Sequence, residues 1–196
     1  MKYSIFNQVT GNLERTLICD ESMIGINTKE GEIAIEGDFI NHYLDDLNQL
    51  QPIPEIPPYC HWQPETRTVS EPDIASLHAD AAKMIDDAAA QVYGRFTRFD
   101  QEYVVREEQA LAYRAAGYAG EVPRQVAAFA APAGLPAQQA ADTILSQAAM
   151  LRGAIEQLGE LRMRKYEVYA AATVAEKLAA RDAVLTAIRT LGEQLA

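Results

Sequence analysis

Five prolines fall within thirteen residues, at Pro52, Pro54, Pro57, Pro58 and Pro64. A proline fixes φ, removes a backbone donor and pushes the residue before it out of the helical region. This stretch therefore admits neither a helix nor a central strand, and it divides the chain into two segments of different texture. Residues 52–69 are expected to form an extended, polyproline-like neck. The alternative is a docking strip for an aromatic groove on a partner. Tyr59 and Trp62 would pin the neck to its own domain in the first case and face a ligand in the second.

Before the neck, over residues 1–51, the chain has a short period and frequent turn residues. Tyr3, Ile5 and Phe6 mark a first strand. Thr10-Gly11-Asn12 is a turn signal, and Leu13 to Cys19 reads as the return strand. Glu32 to Glu36 alternates polar and apolar between Gly31 and Gly37, the period of a half-buried strand. His42-Tyr43-Leu44, a turn over Asp45 to Asn48, and Gln49-Leu50 form a second short hairpin. These signals together predict a small antiparallel β head.

After Ser70 the period becomes helical. Ile74, Leu77, Ala81, Ile85, Ala88, Val92, Phe96, Phe99 and Tyr103 recur at steps near three and four, one apolar face of a long helix. Ser70 is a suitable N-cap with Pro72 near the start, and Gly117 is a stop. Gly94 is a candidate bend or break. Pro123, Pro132 and Pro136 bracket at most a short helix. Ile144, Ala148, Leu151, Ile155, Leu158, Arg162 and Lys165 step by four and three, a heptad seam that turns polar at its far end. Thr173-Val174-Ala175-Glu176 has the form of a capping box that opens a last helix, the alternative being one helix that runs from Gln138 to the end without interruption. The fold class is therefore α+β, with a small antiparallel β head, a Pro-rich neck, and an Ala-rich helical hairpin or bundle over residues 70–196. Such apolar stripes need a second helix of the same chain or another copy, so a homo-oligomer is a candidate state.

The formal charge is −11, and the first 59 residues hold three basic and ten acidic side chains, a net of −7. That field repels phosphate backbones and anionic lipid surfaces, which argues against nucleic-acid and membrane partners. The N-terminus lacks the apolar core of a signal peptide, and no run reaches the ~20 apolar residues of a membrane span. A chain kept in the cytoplasm, with Cys19 and Cys60 reduced, is the expectation.

Chemistry is sparse. His42, His61 and His78 are not at metal-ligand spacing, and the adjacent side chains of Cys60-His61 diverge. Asp45-Asp46 reads as a turn and Asp86-Asp87 as a solvated helix face. Arg162-Met163-Arg164-Lys165-Tyr166 spreads around a helix axis as a solvated basic face. No phosphate-binding glycine loop is present. No catalytic, cofactor-binding or metal residue is assigned, and the chain is not expected to be an enzyme or to need a cofactor.

Several short segments resemble the head of bacteriophage tail proteins of the tail-fibre and tail-fibre-assembly type. They are Tyr3-Ser4-Ile5-Phe6, Thr10-Gly11, Leu17-Ile18-Cys19, Glu30-Gly31-Glu32, Ile35-Glu36-Gly37, His42-Tyr43-Leu44 and Ile53-Pro54. Behind them, Ala148-Ala149-Met150, Leu161-Arg162 and Ala170-Ala171-Ala172-Thr173 are similar to the helical extensions of such proteins. The resemblance implies a protein that attaches to a phage tail fibre or helps it fold, in the host cytoplasm during assembly. A permanent place in the virion tail, as a fibre or baseplate decoration, is the alternative, and an unrelated enzyme or small-molecule binder is a third. Tyr43, Ile53, Ile56, Tyr59 and Trp62 are the expected partner-binding residues.

Overall fold

The structure, a computed structural model, describes residues 1–96 and 99–195. The architecture is α+β, in two compact units, Met1–Ile74 and Ala75–Ala196.

In the first unit β1 (Lys2–Asn7) lies between β2 (Leu13–Ile18) and β3 (Glu32–Glu36), antiparallel to both. Tyr3, Ser4, Ile5 and Phe6 are all buried, so the central strand is covered on both faces and its sequence does not alternate. Buried Ser4 is satisfied at both ends of its hydroxyl: Oγ donates to the Gly37 carbonyl at 2.9 Å and accepts from the Phe39 amide at 2.9 Å. A one-residue bulge between Ile5 and Phe6 sets Phe6 opposite Leu13. The path from β2 to β3 runs through a 3-10 turn at Glu21–Met23 and the single helical turn α1 (Ile24–Asn27). Arg15 binds this crossover, donating to the Asn27 carbonyl at 2.7 Å and pairing with both carboxylate oxygens of Glu32 at 2.6 and 2.7 Å.

A second hairpin pairs β4 (His42–Leu44) with β5 (Leu50–Pro52). Pro52 is tolerated because β5 pairs with β4 alone among the described residues and ends there. The later part of the expected extended neck, residues 52–69, is folded instead, whereas residues 53–57 carry no regular structure. Trp62–Gln63 (β6) and Thr68–Val69 (β7) form a third hairpin, with Pro64 in its turn, where no donor is needed.

The second unit is helical: α2 (Ile74–Phe96), α3 (Asp100–Ala115), α4 (Arg124–Ala133), α5 (Ala137–Met163), α6 (Lys165–Ala170) and α7 (Val174–Gln194). The start and continuity of the first long helix differ from the sequence reading. Pro72 disfavours helical backbone at Glu71, so Ser70 caps nothing. Its hydroxyl accepts from the His61 amide at 2.9 Å, and the helix begins at Ile74. Gly94 stays helical, and α3 begins only at Asp100. The apolar face consequently does not carry through. Leu77, Ala81, Ile85, Ala89 and Val92 are buried, whereas Phe99 and Tyr103 are exposed.

The 27-residue α5 is shared between two cores. Its first half puts Ala140, Ala141, Ile144 and Leu145 against Ala110 and Tyr113 of α3 and Val126 and Ala130 of α4. Its second half contributes Ala154 and Leu158 beside α2 and α7. There the helices approach closely: a Cβ on Gly192 would stand 2.9 Å from Val92 Cγ2. Full burial of Leu77, Ile85, Leu158 and Ile188 contributes roughly 2 kcal/mol each. Lys177, a charge at a buried position, is satisfied by helix-end carbonyls, donating to Tyr169 O at 2.8 Å and Val168 O at 3.1 Å. Among the described residues no helix is long and apolar enough to cross a membrane.

Candidate functional site

The three hairpin turns of the first unit meet around one cleft of about 710 Å³, lined in part by Thr10, Asn12, Tyr43, Asp46, Thr66 and Arg67. Each turn is held by its own local chemistry. In the first, Asn7 Oδ1 accepts from the amides of Val9 at 2.9 Å and Thr10 at 3.0 Å, and Gly11 takes φ +74°. Short polar side chains do this because they reach their own backbone two residues on. In the second, Asp45 Oδ1 accepts from the amides of Leu47 and Gln49, and Oδ2 from the Gln51 side chain, all at 2.9 Å. The Gln49 amide, then the Gln51 amide group, favour the ionised form and hold the Asp45 carboxyl below its ordinary range. The third turn, over residues 64–67, ends with Arg67 at φ +54°.

Two links join the turns. The Leu44 amide donates to the Gly11 carbonyl at 2.9 Å, fixing the first turn to β4. The approach is too close for any side chain, since a Cβ on Gly11 would lie 2.2 Å from Leu44 O. Arg67 pairs with Asp46, joining the third turn to the second. The Asp45-Asp46 pair is thus a turn and a cross-link. Apolar side chains stand out from the tips: Val9 is 84% exposed and Leu47 76%.

Of the five residues expected to bind a partner, the fold brings two together. Tyr43 lines the cleft, and its ring meets Trp62 with centroids 5.1 Å apart, so Trp62 rests on its own unit. Ile53 extends the second hairpin through its amide to Asn41 O at 2.9 Å. Tyr59 has φ +63°, and its carbonyl accepts from the Asp73 amide at 2.8 Å. Ile56 is exposed, outside the cleft lining. Sequence reasoning did not single out Val9, Leu47 or Arg67. The turn signal at Thr10-Gly11-Asn12 lay beside one of them, with an apolar residue at an exposed tip as the clue. The outer edges of β2 and β3 have no strand partner among the described residues, and Ile18, at the end of β2, is 82% exposed.

Several other ionisable groups are paired with one another. Asp86 receives Arg162 and Lys165, each at 3.1 Å, so these two are not part of a solvated basic face. They anchor the far end of α5 and the start of α6 to α2, because the seam's polar end meets a carboxylate there. Partial desolvation pushes the Asp86 carboxyl upward, but the hydrogen bonds from Lys165 and Arg162 outweigh it and hold it low. Asp87 pairs with Lys83 one turn away at 2.7 Å. His61 Nδ1 lies 3.0 Å from Ser70 Oγ, and the ring of His78 meets that of Tyr169 at 4.6 Å. Cys19 and Cys60 are free thiols. Among the described residues no three of His, Cys, Asp and Glu are grouped to hold a metal ion.

Over 84 residues the chain is 46% identical to an uncharacterised 23.3 kDa protein in the lys 3′ region of Haemophilus phage HP1. The aligned stretch covers 43% of this chain and 42% of that protein, so the chain spans less than half the length of the curated relative it matches. No family model matches. No solved structure matches either. The chain is a homologue of a bacteriophage protein.

Proposed function

We propose that this chain is a non-enzymatic phage tail protein that binds a tail fibre and assists its assembly in the host cytoplasm, with the hairpin-tip surface of the first unit as its docking face. The observation that carries this reading is the convergence of three separately braced turns around Tyr43, with Val9 and Leu47 projecting from the tips. Turns fixed before binding lose little conformational entropy on association, which favours recognition over chemistry. Exposed apolar groups rimmed by polar ones suit a protein partner. The open edges of β2 and β3 offer backbone donors and acceptors to a strand of a fibre that still has unpaired edges of its own. The homologue in phage HP1 supports the phage setting.

The test is co-expression with the fibre protein of the same phage and capture through a tag on the fibre. The wild-type chain should co-purify. Val9→Asp and Leu47→Asp, both at exposed positions, should each weaken capture while leaving the unfolding midpoint unchanged. Full capture of both variants, or no capture of the wild-type chain, would refute the assignment. Finding the protein at fixed stoichiometry in purified particles would make it a permanent tail component instead of an assembly factor.

A further inference from the structure

The heptad seam of α5 is only partly used within the chain. Ile144 is buried among α3 and α4 at one end, and Leu158 is buried at the other. Between them Ala148, Leu151 and Ile155 are half-buried and form one wall of an open groove of about 290 Å³. Phe96, Tyr103 and Val104 form the facing wall, with Tyr103 39% and Val104 53% exposed. Among the described residues the charges of the groove are divided by wall: Asp100 and Glu107 stand on α3, and Arg152 on α5. Glu107 pairs with Arg152 and retains 17% side-chain exposure, whereas Arg152 retains 57% and keeps donors facing outward. Asp100 is exposed.

We infer that this groove is the contact between two copies of the chain. A groove with an acidic wall and a basic wall is self-complementary about a twofold axis, the requirement for a closed dimer. The axis lays α3 of one copy over α5 of the other, so that Asp100 of each meets Arg152 of its mate. Val104 and Leu151 then close over the middle of the seam, where a knob from a facing helix belongs. An apolar segment without charges would cover the seam and leave the outward donors of Arg152 unmatched, whereas a second copy supplies Asp100 for them.

Light-scattering mass measurement on the full chain at tens of micromolar should give two copies, and Val104→Glu should give one. Asp100→Arg and Arg152→Glu each place like charges at both twofold contacts and should raise the dissociation constant by more than about tenfold. Mixed in equal amounts, these two variants should restore the dimer, because every contact in the mixed pair again joins unlike charges. Unfolding followed by circular dichroism separates a lost contact from a lost fold. Should Val104→Glu fail to fold, the charge reversals and their rescue decide. A single-copy mass for the wild-type chain overturns the inference, as does a dimer untouched by both charge reversals. A monomer whose groove variants lose capture of the fibre protein also overturns it, and makes the groove a fibre site.

Discussion

At the scale of single residues, two positions in the first unit admit few substitutes, one for its geometry and one for its charge. Gly11 combines φ +74° with a carbonyl 2.2 Å from where its Cβ would stand. Gly11→Ala must therefore both strain the backbone and break the Leu44 link between turns. A loss of about 3 kcal/mol in chemical denaturation is expected, and the proposed role adds weakened fibre capture. Glu32 is governed by charge. The guanidinium of Arg15, and next the Lys29 amide, hold its carboxyl at about 2 against an ordinary 4.5. In the unfolded chain it takes up a proton at the higher value. The stability it contributes is thus complete above pH 4.5 and drains away as pH falls toward 2. Equilibrium unfolding measured across that window should show a fall that Glu32→Gln flattens. An equal fall in both proteins would show that the Arg15 contact does not set the acid limit.

At the scale of elements, local chemistry was readable wherever it was contiguous in sequence. The capping box at Thr173 is present in full, with the Glu176 amide donating to Thr173 Oγ1 at 3.2 Å and the Thr173 amide to Glu176 Oε2 at 3.0 Å. Thr173→Ala should cost about 1 kcal/mol by thermal or denaturant unfolding, and Thr173→Ser should retain most of it. The hairpins at Thr10-Gly11-Asn12 and Asp45 to Asn48 were legible for the same reason. What failed was whatever the period could not report. The stripe through Phe96, Phe99 and Tyr103 continues in sequence across a point where the helix does not. The crossover at residues 21–27 is too short to show a period, and a proline two residues after Ser70 outweighed a good cap. The cleft itself was illegible. Its walls come from turns near residues 10, 45 and 66, joined by one backbone hydrogen bond and one ion pair that leave no mark on any single segment.

At the scale of the whole molecule, the uneven charge bears on what the proposed docking face can meet. Of the formal −11, the first 59 residues account for −7, and the turns that carry the cleft lie in or next to that stretch. Asp46 is neutralised locally by Arg67, and Glu32 by Arg15, yet Glu14, Asp20, Glu21 and Glu30 remain exposed. A surface of this sign repels acidic partners at long range and draws in basic ones, acting mainly on the rate of encounter. Under the proposed role, the fibre segment that docks here should therefore carry Lys or Arg around an apolar centre that meets Val9 and Leu47. Stopped-flow association at rising salt tests this directly. Between about 50 mM and 500 mM the Debye length shrinks about threefold, and the association rate should drop by about tenfold while dissociation changes little. A rate indifferent to salt, with binding still lost in Val9→Asp, would leave the apolar tips as the recognition element and the acidic field with no part in it.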